Sequence, residues 1–151
     1  MTDAFTSPSG FPGHVGPNRE QINYFDADVA TQYDADAMAI FAPEVIEPTV
    51  DILSELAGNG AALEFAVGTG RVALPLSARG IAVTGIEYSP AMIEMLARKP
   101  GSDRIEVIQG DMATTRVPGM FRLVFLVFNT IGNLTAQDQQ LACFENAAAH
   151  L

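Results

Sequence analysis

The chain has one cysteine, no tryptophan, two histidines and only 8 Lys+Arg against 18 Asp+Glu, giving a net charge of −10. Each scarcity excludes something. A lone thiol, Cys143, forbids an internal disulfide and fits a reducing compartment. So few basic residues, none of them clustered, oppose binding to nucleic acid or to an anionic membrane surface, because phosphate contacts need Lys and Arg. No basic segment followed by an apolar run opens the chain, so no signal peptide is expected and the location is read as cytoplasmic. The longest apolar run, residues 123–128, is far too short to span a bilayer. No His, Cys or Asp grouping has metal-ligand spacing. His14 falls in the N-terminal tail and His150 at the frayed end of the last helix, so neither reads as a general base, and no catalytic residue is assigned.

What the chain does have is apolar content of 48%, enough for one packed domain. Residues 1–17 run through Ser7-Pro8-Ser9-Gly10-Phe11-Pro12-Gly13 and read as a flexible tail. Residues 18–60 read as an N-terminal helical cap. Its second helix opens at Pro43-Glu44 or nearer Glu47, carries Val45, Ile46, Val50, Leu53 and Leu56 at helical spacing, and ends at Gly58.

From residue 61 to 151 the pattern alternates. Strands are predicted over 61–65, 81–86, 104–109 and 121–128. A helix over 71–78 follows the first strand. A second follows Ser89 as N-cap with Pro90 at its first position, and a last one is capped by Thr135, with Asp138 in a capping box. Repeated strand–helix units imply a Rossmann-like, doubly wound parallel sheet of the α/β class.

The chemistry gathers at the carboxyl ends of the strands. Leu63-Glu64-Phe65-Ala66-Val67-Gly68-Thr69-Gly70-Arg71 is a buried strand, an acid and a glycine turn, which lets backbone approach a ligand closely. Ile86-Glu87 ends the second strand with an acid, the place where a ribose is commonly held. Met92 lies on the apolar face of its helix and also reads as core, as does Cys143.

Four segments stand in one order: Glu64 to Gly70, Gly85-Ile86-Glu87-Tyr88-Ser89, Gln109-Gly110-Asp111-Met112 and Phe128-Asn129. In this the chain resembles the class I S-adenosylmethionine-dependent methyltransferases, from about Tyr24 onward. The resemblance implies a seven-stranded sheet, of which this chain supplies the first four strands in spatial order 3-2-1-4. Two departures stand out: Ala66 replaces the first glycine of the usual motif, and Arg71 follows the last. The resemblance also implies a site. Backbone at Ala66, Gly68 and Gly70 lies along the methionine part, Glu64 faces its ammonium, and Tyr33 closes over its carboxylate. Glu87 holds the ribose hydroxyls, Tyr88 and Met92 flank the adenine, and Asp111 accepts from the adenine amino group beside the Met112 backbone. Phe128 and Asn129 floor the methionine side.

The expected activity is methyl transfer to a small-molecule nucleophile, with S-adenosylmethionine as cofactor and no metal. Two rivals are carried. Gly68-x-Gly70-x-x-Ala73 also satisfies a dinucleotide fingerprint, which would suit an NAD(P)- or FAD-dependent oxidoreductase. Glu64 opposes this, since a carboxylate is a poor neighbour for a pyrophosphate. The other rival is a non-catalytic binding module. The apolar fourth strand, with nothing after it to cover its outer edge, reads as part of a longer domain. On that reading the chain alone lacks activity, and it aggregates or forms a homodimer through the strand 4 edge.

Overall fold

The structure is a computed structural model and describes residues 42–151. The tail and the first part of the expected cap, with Tyr24 and Tyr33, lie outside the described residues. Helix α1 (Pro43–Ala57) begins at its proline and tolerates Pro48 in its second turn. It is followed by β1 (Ala62–Phe65), α2 (Ala73–Ala78), β2 (Val83–Glu87) and α3 (Pro90–Ala97). Then come a 3-10 turn (Ser102–Arg104), β3 (Ile105–Gln109), β4 (Leu123–Phe125), a second 3-10 turn (Thr130–Asn133) and α4 (Gln137–Ala148).

The four strands form one parallel sheet in the order β3-β2-β1-β4. Alternation along β1 divides the core. Ala62 joins Ile46, Val50, Leu53 and Leu76 on the face covered by α1 and α2. Leu63 and Phe65 join Met112, Phe121, Leu134 and Cys143 on the face covered by α4 and the segment after β3. Helix α1 is thus a layer of the sandwich.

The register puts Glu64 of β1 between Gly85 of β2 and Phe125 of β4. Gly85 is small for a steric reason: a Cβ there would lie 2.7 Å from Cγ1 of Val67, which folds back over β2 from the turn after β1. That packing fixes where the glycine turn sits.

Three expectations are corrected. Strand β4 spans three residues rather than the eight of 121–128: its pairing with β1 stops at Glu64 opposite Phe125, and the backbone is left-handed by Phe128. The last helix begins at Gln137 and not after Thr135. Its N-cap is Ala136, whose N–H is taken by Oε1 of Gln139 at 3.3 Å, while Asp138 accepts from the Gln139 N–H.

His150 does not fray; it is 2% exposed. The Val117 N–H donates to its Nε2 at 3.0 Å, and its Nδ1 lies 2.7 Å from the Asn146 carbonyl. An N–H can only donate and a carbonyl only accept, so the ring carries its proton on Nδ1. Its own carbonyl accepts from Phe121 N–H at 2.8 Å, and its ring packs edge-on to Phe65. His150 therefore fastens the end of α4 to the approach to β4. His150→Ala leaves the Val117 donor buried and unpaired beside a cavity, and should cost roughly 2–4 kcal/mol in urea unfolding. An unchanged midpoint and slope would contradict this role.

Candidate cofactor site at the carboxyl edge of the sheet

Because β2 and β3 lie on one side of β1 and β4 on the other, the order in which strands are added to this parallel sheet reverses between β1 and β4. Open parallel sheets bind ligands in the crevice at such a point. The turn after β1 has positive φ at Ala66 (53°), Gly68 (57°) and Gly70 (78°). Ala66 pays a steric cost of about 1 kcal/mol that a glycine would avoid. Across the crevice, beyond β4, Phe128 is also left-handed, at φ 59°. Two non-glycine residues held in this region on either side of one crevice mark a site where geometry outweighs local preference.

Glu87 ends β2 and organises the edge. Its Oε2 accepts from the Gly68 N–H and its Oε1 from the Ser89 N–H, both at 2.8 Å. Its own carbonyl accepts from the Gly110 N–H at 2.9 Å, which ties in the end of β3. One residue thus joins the ends of three strands. A carboxylate offers about four lone-pair directions; with these two bonds made and the Tyr88 N–H also acting on it, acceptor capacity remains for hydroxyl donors of a ligand. Burial pushes the Glu87 carboxyl above its ordinary value, and the backbone N–H groups of Ser89, Gly68 and Tyr88 oppose that rise.

Glu64 is the most costly group in the site. It is 2% exposed, and its Oε2 is buried with no hydrogen-bond partner. Burial drives its carboxyl well above the ordinary value; Arg71 pulls it back, Glu87 pushes it further up, and the Ala73 N–H lowers it. A buried oxygen with an unused acceptor beside a glycine turn suits a cationic donor group.

The remaining predicted residues fall around this pair. Ser89 caps α3 through its Oγ, which accepts from the Met92 N–H at 3.4 Å. Tyr88 is half-buried, and Met92 is 2% exposed. Asp111 is half-buried and its Oδ1 accepts from the Ala113 N–H at 2.7 Å. Met112 is buried and its carbonyl accepts from Nδ2 of Asn146 at 2.8 Å. Asn129 is exposed beside Phe128. Tyr33 lies outside the described residues. Cys143 is buried; burial, then the Asp111 charge, raises its thiol, which suits a core residue.

Two features escaped the sequence reading. The Arg71 guanidinium carbon stands 5.3 Å from the centroid of the Phe128 ring, bridging the crevice. Lys99, past the end of α3, reaches back to the Thr69 carbonyl at 2.9 Å and braces the glycine turn. Only the departure at Arg71 was visible in the motif; the partners are far apart in sequence.

These acids have a consequence for stability. Unfolded carboxylates ionise near pH 4.3, and both Glu64 and Glu87 ionise above their ordinary value in the fold. Between the two values the native state keeps protons that the unfolded chain has lost, so their contribution to stability falls as pH rises through that window. Glu64→Gln removes the larger penalty. It should stabilise the ligand-free protein by roughly 1–3 kcal/mol at pH 7, with the gap closing as pH approaches about 4. Denaturant melts at both pH values check this; a gap independent of pH would contradict it.

Comparison with known proteins agrees with this geometry. Residues 62–151 match the family described as a methyltransferase domain. The CcbJ methyltransferase of Streptomyces caelestis is 32% identical, with a TM-score of 0.70 over 83% of this chain and 51% of that one. DesVI of Streptomyces venezuelae is 27% identical, with a TM-score of 0.65 over 83% of this chain and 52% of that one. The glycopeptide N-methyltransferase MtfA, solved with S-adenosyl-L-methionine, is 25% identical, with a TM-score of 0.61 over 68% of this chain and 48% of that one. Among curated proteins, the 23S rRNA (uracil(1939)-C(5))-methyltransferase RlmD of Chromohalobacter salexigens is 35% identical over 97 residues, covering 62% of this chain and 17% of that protein. The chain spans about half the length of these solved structures and a smaller part of the RNA enzyme. With its glycine turn, its two acids and its 3-2-1-4 sheet, the chain belongs to the methyltransferase domain family.

Proposed function

We propose that this chain is the S-adenosylmethionine-binding part of a methyltransferase that acts on a small molecule. The observation that carries the reading is Glu87: a buried carboxylate locked onto the Gly68 and Ser89 N–H groups, with acceptor capacity left for a ribose diol. Glu64, buried and with an unused oxygen, suits the ammonium of the amino-acid end. Tyr88 and Asp111, both half-buried just past the ends of β2 and β3, suit an adenine ring and its amino group. The cofactor carries no phosphate, which agrees with a site lined by acids; a pyrophosphate would meet both Glu64 and Glu87.

When bound, the cofactor supplies a methyl group on a sulfonium, a good leaving group. The residues described here do the positioning. Glu87 and the glycine turn would hold the ribose and methionine ends at the crevice between β1 and β4 and so align the methyl donor for an acceptor. The small-molecule acceptor rests on the −10 net charge and lack of a basic cluster, together with relatives such as the glycopeptide N-methyltransferase. The likeness to an rRNA methyltransferase makes RNA the alternative acceptor.

Titration calorimetry tests the cofactor. S-adenosylmethionine and its demethylated product should bind at micromolar strength, about −8 kcal/mol, and NAD should not. Glu87→Ala should weaken binding by about 1.5–3 kcal/mol. NAD binding with no response to either sulfur compound would overturn the reading. Filter binding to RNA at low and moderate salt tests the acceptor class. Steeply salt-dependent, micromolar retention would replace the small molecule with RNA.

A further inference from the structure

We propose that Arg71, seated on Phe128, is the cation that receives the carboxylate at the amino-acid end of the cofactor, an inference that rests on the S-adenosylmethionine reading above. Arg71 directly follows the last positive-φ glycine of the turn. Its guanidinium carbon lies 5.3 Å from the Phe128 ring centroid, so the cation spans the crevice from the β1 side to the β4 side. Phe128 is 52% exposed and left-handed, which packing in the core does not explain. As a platform for a guanidinium it has a purpose. A guanidinium stacked by its face keeps its edge N–H groups in a planar fork that matches a carboxylate.

The charges at this point are complementary to an α-amino acid. Glu64, with its buried unpaired oxygen, lies on β1 before the turn and Arg71 follows the turn, so an acceptor for an ammonium and a cation for a carboxylate flank the same glycine turn. An α-amino acid end carries an ammonium and a carboxylate on one carbon. Its ammonium would go to Glu64 and its carboxylate to Arg71. Most other cations of the described residues lie away from this point. Arg79 pairs with Asp51, Arg98 lies 3.7 Å from Glu94, and Arg116 reaches the Asn146 carbonyl. Lys99 is engaged with the Thr69 carbonyl, and Arg104 and Arg122 precede β3 and β4, at the opposite edge of the sheet. The acids Glu87 and Asp111 would repel a carboxylate. Of the two cations at this edge, Arg71 is the one that reaches across to Phe128.

The test uses two ligands that differ at this end alone: S-adenosylhomocysteine, and methylthioadenosine, which keeps the adenosine and thioether but has no amino-acid group. Calorimetry on the chain and its variants gives the readout. Arg71→Met should weaken S-adenosylhomocysteine about tenfold or more and leave methylthioadenosine within about twofold of wild type. Arg71→Lys should recover part of the loss, since it keeps the charge but not the fork. Phe128→Leu should weaken S-adenosylhomocysteine about threefold and spare methylthioadenosine. Equal affinity of wild type and Arg71→Met for S-adenosylhomocysteine would overturn the proposal. So would an equal loss for both ligands, which would assign Arg71 to shaping the turn. A wild-type chain that binds neither ligand would instead remove the cofactor reading itself, and this inference with it.

Discussion

The site depends on one buried carboxylate. Glu87 accepts from the Gly68 and Ser89 N–H groups with its two oxygens, while its carbonyl takes the Gly110 N–H. These bonds hold the glycine turn, the start of α3 and the end of β3 in fixed relation. Together with the packing of Val67 on Gly85 and the Lys99 bond to the Thr69 carbonyl, they hold a turn that has three positive-φ positions. Burial alone would make such a carboxylate costly; the backbone donors around it are what make it tolerable. The same donors fix its orientation, so the acceptor directions left over are preorganised for a ligand's hydroxyls.

Other features of the edge run against stability in the ligand-free state. Glu64 is buried with one oxygen unpaired, and Ala66 and Phe128 occupy backbone conformations that disfavour side chains. All three border the reversal point between β1 and β4. The core elsewhere follows ordinary rules: β1 sends Leu63 and Phe65 to one face and Ala62 to the other. The contrast is informative because misfit residues that serve packing would be scattered, whereas these converge on one crevice. A ligand with a cation for Glu64, an anion for Arg71 and a diol for Glu87 would relieve much of that misfit on binding.

Much of this was legible in the sequence, for local reasons. The N-cap Ser89 with Pro90, the glycine turn and the acid that ends β2 are short-range signals that place strand ends, whereas the order 3-2-1-4 followed from the resemblance to the family. What was not legible depends on partners distant in the chain. The run Leu-Val-Phe-Leu-Val-Phe has strand character throughout, but β4 stops at Phe125 opposite Glu64 and the backbone leaves the strand conformation by Phe128, which is left-handed. The Arg71–Phe128 contact joins two loops, and nothing near Arg71 announces an aromatic partner. His150 read as a helix end because its partners, Val117 and Phe121, lie far upstream. Thr135 failed as a cap because the 3-10 turn at Thr130–Asn133 delays α4, and Gln139 does the capping instead.

The central claim is that the ends of β1, β2 and β3, joined by Glu87, form the cofactor site. Amide chemical-shift mapping by NMR tests it most directly, with S-adenosylhomocysteine titrated into labelled protein. The account predicts the largest shifts at Gly68, Gly70, Tyr88, Ser89 and Asp111, with the α1 and α4 amides nearly unmoved. Shifts concentrated on α1 or α4, with Gly68 and Ser89 unaffected at saturation, would contradict it.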